Sequence, residues 1–492
     1  LLEAQRLGAR VVGSDLNPVA TFITDAVTRL IPAASSIPSS RAVGGFRVDD
    51  EAEISSRNIF LATEKSLRSI YRGAPRGESL PFSYIWFRTA LCSNPACRQI
   101  VPLTASWTLS KSKNSEWSIE PRFTPKGVTC VVREGDSLQP ATVARSRVVC
   151  PWCSSVSSGE YLQNEGMSGR IGHRLMAVAW QSSSGKRYRI PTPEEEQAAG
   201  ECSPDLTGMR FPPFPQDDSR KFTPALFGVS EWKQVHTARQ LQALSAFAAA
   251  IRDEAGHIRE RCSHLTETDA VLVTQAVTVI LACALCRMAD LLTSLCGWEP
   301  NAQAVRHLFT GKAVPMMWNY GEACPIASAS GSWELCVKRT MESVQEVPRP
   351  TVGSAIVSMA AAQDVSLAPV DIVLTDPPYY DAIAYAHLSD FFMPWLRAAM
   401  GNQLPDWFGA VSTPKRREII QRPSGEKTKE QFEHDLADAF VRMHSNLSDD
   451  GIVILVYAHK STAAWETLFE ALLKSGFVVV ATWPIETEMA AR

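Results

Sequence analysis

An α/β pattern that opens at the first residue, stops near Leu30 and resumes only beyond Ser354 constrains this chain more than any other feature. Leu1-Leu2-Glu3-Ala4-Gln5-Arg6-Leu7 reads as helix and Gly8 as its stop. Arg10-Val11-Val12-Gly13-Ser14-Asp15 then reads as a short strand ending in an acid. Asn17-Pro18 opens a second amphipathic helix running to about Leu30, and Pro18 suits its first turn because the missing N–H costs nothing there. Beyond Ser354, strand-like Ala355-Ile356-Val357, Asp371-Ile372-Val373-Leu374, Ile452-Val453-Ile454-Leu455-Val456 and Phe477-Val478-Val479-Val480 alternate with helices, the rhythm of a parallel sheet. Residues 1–32 and 350–492 are therefore expected to form one α/β domain, with the intervening chain inserted into it.

At 492 residues the chain is long enough for two or three structural units, and its 45% hydrophobic and 21% charged residues exclude a disordered or fibrous class. Residues 31–40 have a linker composition. A helical stretch near 55–71 precedes strand-like Tyr84-Ile85-Trp86-Phe87, and residues 84–190 read as a β-rich module. A helical insert is expected over 225–315. Within it, Ala270–Leu292 is the most apolar stretch, but Thr274, Gln275, Thr278, Arg287 and Asp290 argue for a core helix and against a membrane span. Twelve cysteines are too sparse for a disulfide scaffold, which predicts a reducing cytoplasm. The opening helix has no cap before Leu1, so the true start is expected to lie upstream. A formal charge of −3 leaves any nucleic-acid contact to a local basic patch.

The apolar run Ile372-Val373-Leu374 enters Thr375-Asp376-Pro377-Pro378-Tyr379-Tyr380-Asp381 directly, placing an acid, two prolines and an aromatic just past a strand's carboxyl end. In open α/β sheets ligands bind at that edge. The prolines stiffen the turn and lack N–H groups, so the Asp376 carboxylate and nearby carbonyls are positioned to accept protons from an amine. Tyr379 offers a flat face on which a flipped base can stack. The plain alternative is a proline-rich turn with Asp376 as a turn residue and Tyr379 as a surface aromatic.

Asp376-Pro377-Pro378-Tyr379 resembles the signature of S-adenosylmethionine-dependent amino methyltransferases. With Tyr385-Ala386-His387-Leu388-Ser389-Asp390-Phe391-Phe392 and Ala458-His459-Lys460-Ser461-Thr462, it is similar to prokaryotic adenine-specific DNA methylases that contain a zinc ribbon. The resemblance spans nearly the whole chain. It implies a Rossmann-like methyltransferase sheet interrupted by a zinc ribbon and a helical insert, with Asp376, Pro377, Pro378 and Tyr379 catalytic on a flipped adenine of DNA. It also implies S-adenosylmethionine as cofactor, with a glycine-rich loop expected directly before Leu2 and absent here. Asp15 would take the ribose hydroxyls, and Asn17 and Pro18 would shape the turn behind it; otherwise Asp15 merely caps the next helix. Related enzymes often place an acid after the preceding strand, where this chain reads Val357-Ser358-Met359-Ala360, with Asp364 the nearest candidate. Cytosine N4 or another amine fits the same motif, as does a non-catalytic DNA-binding remnant. No restriction or phage-defence partner is identifiable from the sequence.

Cys92-Ser-Asn-Pro-Ala-Cys97 and Cys150-Pro-Trp-Cys153 are two short-spaced cysteine pairs, able to converge as a tetrahedral thiolate site for Zn2+. Cys130 lies between them as a competing ligand, and four buried thiols are the alternative. Between Cys92 and Cys153 eight basic residues (Arg98, Lys111, Lys113, Arg122, Lys126, Arg133, Arg145, Arg147) face four acids (Glu116, Glu120, Glu134, Asp136), with Trp107 and Trp117 interleaved. That composition suits contact with DNA or, equally, a solvated face. Lys415-Arg416-Arg417 forms a second basic cluster, suited to backbone phosphates or to an exposed loop.

Overall fold

A computed structural model describes residues 1–37, 47–72, 79–112, 115–144, 147–311, 313–347, 353–378, 383–421, 427–458 and 462–484. The chain is mixed α/β with several separate sheets and divides into two compact units. The first holds Leu1–Gly13, Pro18–Val357 and Ala386–Thr413; the second holds Ser14–Asn17, Ser358–Tyr385 and Pro414–Arg492.

The opening helix is Leu2–Arg6, and Gly8 leaves it at φ +88°, a left-handed turn that suits glycine. Strand β1 (Val11–Asp15) follows. Helix then runs from Pro18 to Ser35, through a widened turn at Ala26–Leu30, so the stretch expected to be linker starts as helix. The reason is burial: Ile31 and Ala34 are covered, and Pro32 sits in the first turn of its segment, where proline is tolerated. Helix Val48–Leu67 begins earlier than the apolar pattern suggested, because Asp49, Asp50 and Glu51 favour its first turn.

Strand β2 (Ser83–Leu91) is the centre of an antiparallel sheet. Its Tyr84, Ile85, Trp86 and Phe87 are all buried, so both faces of the strand are covered. β3 (Ile100–Leu103) pairs with its end, and β4 (Thr108–Ser112), β5 (Ser115–Thr124) and β6 (Gly127–Glu134) form a separate three-stranded sheet. A small sheet of β7 (Val143–Ala144), β8 (Arg147–Val149) and β9 (Val156–Ser157) follows. β10 (Gly172–Ser182) and β11 (Gly185–Arg189) extend the β2 sheet on one side. After the short pair β12 (Trp298–Glu299) and β13 (Ala304–Val305), β14 (Asn319–Ala323) closes its other side. The sheet thus reaches past the 84–190 boundary read from the sequence and takes a strand from beyond the helical insert.

That helical layer is Ala238–Arg261, Glu267–Ala289 and Trp333–Gln345. Among the described residues Glu267–Ala289 alone is long and apolar enough to cross a membrane, and 67% of its most apolar window is buried inside the protein. One buried polar cluster ties the layer to the sheet. Arg239, 1% exposed, donates from Nε and Nη2 to the Glu322 carboxylate on β14 (2.9 and 2.7 Å). Glu322 also accepts from Trp86 Nε1 (2.6 Å) and Tyr71 Oη (3.1 Å). The guanidinium lies 4.2 and 4.6 Å from the ring centres of Tyr84 and Tyr71.

β1 pairs with β15 (Ala355–Met359). Val11 N–H donates to Ser354 O near one end and Ala360 N–H to Asp15 O at the other, so the strands run parallel. A Cβ on Gly353 would fall 2.0 Å from Ala9 O, which reserves that position for glycine. In the second unit β16 (Val370–Thr375) and β17 (Leu447–Leu455) are also parallel, with Ile372 opposite Ile452 and Thr375 opposite Leu455. Helices Lys429–Asn446 and Thr462–Lys474 interlock through Phe432, Leu436, Phe440, Leu468 and Leu472, and Leu455 and Tyr457 pack against them. The alternate residues Ile372, Leu374, Ile452 and Ile454 remain exposed. Phe477–Val480, expected to be a strand, is irregular: Val478 and Val480 are 78% and 89% exposed, and among the described residues no strand pairs with them.

Candidate metal centre and acidic strand ends

The loop after β2 and the loop after β8 repeat one backbone design. In the first, Cys92 N–H donates to Gln99 O (2.8 Å); in the second, Cys150 N–H donates to Ser155 O (2.9 Å). Each acceptor stands two residues past the second cysteine of its pair. Arg98 (φ +47°) and Ser154 (φ +59°), directly after Cys97 and Cys153, both adopt the left-handed conformation, uncommon without glycine. Matched strain at equivalent positions turns each pair of thiols the same way.

The four sulfurs of Cys92, Cys97, Cys150 and Cys153 lie within 4.8 Å of one another. Cys92 Sγ is 3.6 Å from Cys153 Sγ, and Cys97 Sγ is 3.8 Å from Cys150 Sγ. A zinc ion bound at about 2.3 Å by four thiolates has sulfur edges of about 3.8 Å, so the cluster is compatible with a zinc site. Cys130 is elsewhere, on β6 opposite Pro121, and does not compete. All twelve cysteines are free thiols.

Backbone amides prepare the sulfurs for negative charge. Asn94 N–H points to Cys92, Gln99 N–H to Cys97 and Ser155 N–H to Cys153. The Ser155 hydroxyl and amide bring the Cys153 thiol down to about 6. Burial pushes Cys92 up to about 12, a cost a bound cation offsets. Asn94 braces both loops: its Oδ1 accepts from Ala96 N–H (3.0 Å) and its Nδ2 donates to Ser155 Oγ (3.3 Å). Trp152 Nε1 donates to Thr124 O (2.7 Å) and Gln99 Nε2 to Pro125 O (3.0 Å), so both loops grip the β5–β6 turn. Asn94, Gln99 and Ser155 were not singled out from the sequence. The signal was there, as polar residues two places beyond a cysteine.

The basic module departs from one expectation. Trp107 is 3% exposed, packs against Phe87 and Phe123 and donates to Pro140 O (3.0 Å), so it belongs to the core and offers no face to a base. Trp117 lies beneath the Arg187 guanidinium. Lys113 and Arg145 lie outside the described residues. In the second cluster Arg417 is paired with Asp364 (2.6 Å), the acid nearest the end of β15.

Asp376 directly follows β16 and is exposed, while Pro377 is buried and Pro378 half-buried. Val456 N–H donates to Thr375 O (2.9 Å), which holds the strand end beside β17. Tyr379, Tyr380 and Asp381 lie outside the described residues, as do His459, Lys460 and Ser461. Asp15 ends β1 and accepts from Asn17 N–H through Oδ1 (2.7 Å), closing a tight turn. Desolvation raises its carboxyl above the ordinary range against the pull of the Asn17 and Leu16 amides. Asp15 and Asn17 fall in the same compact unit as Asp376, Pro377 and Pro378; Pro18 opens the helix that belongs to the first unit. No family model, curated protein or solved structure matches the chain.

Proposed function

We propose that the chain is a zinc-containing, S-adenosylmethionine-dependent DNA amino-methyltransferase of Rossmann-like architecture, acting in the cytoplasm on N6 of a flipped adenine. The observation that carries the reading is the position of Asp376-Pro377-Pro378, directly after a parallel strand, at the edge where α/β sheets bind ligands. Asp15, at the end of the other parallel pair and in the same unit, supports it.

In this reading the Asp376 carboxylate and the Pro377 carbonyl accept hydrogen bonds from the two N–H groups of the base's amino group, and the one proton the nitrogen sheds on methylation leaves through Asp376 to solvent. That turns the nitrogen lone pair away from the ring and toward the methyl donor. Pro377 and Pro378 hold the two acceptors without reorganisation, so catalysis is mainly orientation and preorganised polarity. Tyr379 supplies the stacking face. Asp15 would hold the cofactor's ribose through carboxylate acceptors, with Asn17 and Pro18 fixing the turn; bound there, the cofactor supplies an electrophilic methyl group. Cys92, Cys97, Cys150 and Cys153 would hold Zn2+ as a structural clasp joining the two cysteine loops. Cytosine N4 and other planar amines fit the same acceptors.

The test is transfer of labelled methyl from S-adenosylmethionine to DNA, with the product nucleoside identified by mass spectrometry. Asp376→Ala should abolish transfer and leave cofactor affinity nearly unchanged. Retention of more than a small fraction of the rate removes Asp376 from the chemistry. One observation favours the alternative of a non-catalytic remnant that keeps DNA binding: the β16–β17 pair that bears the motif leaves one apolar face exposed, so the sheet under Asp376 is covered on one side only. No transfer and no cofactor binding, with DNA binding intact, would select that alternative.

A further inference from the structure

We infer that the tip formed by the two cysteine loops and the β5–β6 turn is a binding surface for single-stranded nucleic acid. The inference rests on the zinc clasp proposed above but not on methyl transfer. Charge is the first observation. Arg98, Arg122 and Lys126 are exposed on the first cysteine loop and at the turn end of the β5–β6 hairpin. Residues 92–115 and 121–133 contain no Asp or Glu. The hairpin's acids, Glu116, Glu120 and Glu134, sit toward its far end, and Glu120 faces Arg133 there (3.8 Å). Glu165, the acid that acts on Arg98, is already held by both guanidinium nitrogens of Arg170 (2.8 and 3.1 Å). The positive charge of the tip is therefore not cancelled locally.

Shape is the second observation. A shallow depression opens at the tip, lined by Asn94, Ala96, Cys97, Gln99, Trp152 and Cys153. Its one aromatic wall, Trp152, is held rigidly by its bond to Thr124 O and by an edge-to-face contact with Phe123 at 5.0 Å. The Gln99 amide is fixed on Pro125 O. An indole fixed in this way, between polar side chains at a tip that carries Arg98 and Lys126, suits one unstacked base with phosphates nearby. A duplex offers the phosphates but no free base face, so the slot favours a single strand.

Rigidity is the third. The turn that carries Lys126 has carbonyls gripped by both loops, so metal binding and cation placement are mechanically linked. Order in the clasp fixes the spacing of the cations.

The experiment uses the zinc-loaded full chain and fluorescence anisotropy with a labelled single-stranded DNA oligonucleotide and its duplex over a range of salt concentrations. Arg98→Gln/Arg122→Gln/Lys126→Gln should lower the single-strand salt slope by about 2 and the affinity by about a hundredfold at 0.1 M salt, from roughly 0.7 counterions per phosphate contact. Arg252→Gln/Lys338→Gln/Arg339→Gln, an equal charge change on exposed helices, should do little. Trp152→Leu should weaken single-strand binding by about 5- to 150-fold with much less effect on duplex. Zinc content is measured for every variant; if Trp152→Leu loses metal, the charge variants decide. Methyl transfer is measured separately on the parent and on the tip variants, so failed catalysis and a failed surface are separately visible. Unchanged binding by the tip variant, or an equal loss in the distal variant, overturns the inference. Equal losses for duplex and single strand in Trp152→Leu overturn the base slot.

Discussion

Metal removal should unfold the two cysteine loops while the β2 sheet stays folded. Two of the sulfur–sulfur contacts, 3.6 and 3.8 Å, are already close to the edge of about 3.8 Å in a zinc tetrathiolate, and all four sulfurs lie within 4.8 Å of one another. Structural zinc sites of this kind contribute about 10–16 kcal/mol at neutral pH. The apolar cluster beneath them is small: Ala90, Val101, Leu103, Val143, Val148 and Leu162 with the buried thiols Cys92 and Cys150. At about 1.5–3 kcal/mol for each fully buried Val or Leu side chain, before ordering entropy, the metal contribution is comparable with that of the cluster. Protein purified in reductant without chelator should therefore carry about one zinc, and cobalt substitution should give the visible spectrum of a tetrathiolate. Serine at Cys92, Cys97, Cys150 or Cys153 should weaken the metal by more than the roughly 10- to 100-fold of an outer-shell loss, and Ser155→Ala should fall within that range. Cys130→Ser should bind like the parent. Hydrogen exchange after chelation should rise at residues 92–99 and 150–157 before β10. Metal-free protein, or equal damage from Cys130→Ser, would refute the four-sulfur site.

Two further outcomes follow from buried polar groups. Arg239→Met should destabilise the first unit by about 3–5 kcal/mol in urea unfolding, because it leaves the Glu322 carboxylate buried with only Trp86 and Tyr71 as donors; Arg239→Met/Glu322→Leu should recover much of that loss, and additive losses would refute the coupling. His236 donates from Nδ1 to Leu292 O (2.6 Å), stacks on Phe391, and burial lowers its imidazole to about 4. The unfolded chain then takes up the proton first, so this stabilisation is full above about pH 6.5 and is lost as pH falls toward 4, by about 3 kcal/mol in all. His236→Phe should flatten that part of the stability–pH curve, and an unchanged slope would assign it to other groups.

How much of this was legible in sequence depended on whether the signal was local. The parallel strands announced themselves through runs of β-branched residues, and the metal ligands through two cysteine spacings that short loops satisfy alone. Cys130 fits no such loop, and the structure leaves it on a strand. Trp107 was misread because an aromatic among cations carries no sign of which way it points; only the packing of Phe87 and Phe123 around it does. The Arg239–Glu322 bond was illegible for the same reason, since its partners are 83 residues apart and meet only when the helical layer closes on the sheet. Burial also overrode composition at Ile31–Ser35, where Ala, Ser and Pro in sequence suggested a linker.

The second unit shows how a local signal fails when its long-range complement is missing. A parallel sheet is stable when both faces are covered, and its strands accordingly read as continuous apolar runs. Here one face of β16–β17 rests on two helices, while Ile372, Leu374, Ile452 and Ile454, 58%, 64%, 51% and 42% exposed, face outward. Phe477–Val480 has the same composition and forms no strand, which separates propensity from pairing: β-branched residues become a strand only against a neighbour that takes their hydrogen bonds. Asp376 and its prolines therefore stand at the end of a strand covered on one side only. The first unit has the opposite balance, with β2 buried on both faces and tied to the helical layer through Glu322. Stability is thus concentrated away from the proposed chemistry, and binding that covers the outer face of β16–β17 would both order the motif and add apolar burial. In this protein the energetics of ligand binding and of completing the sheet are expected to be coupled.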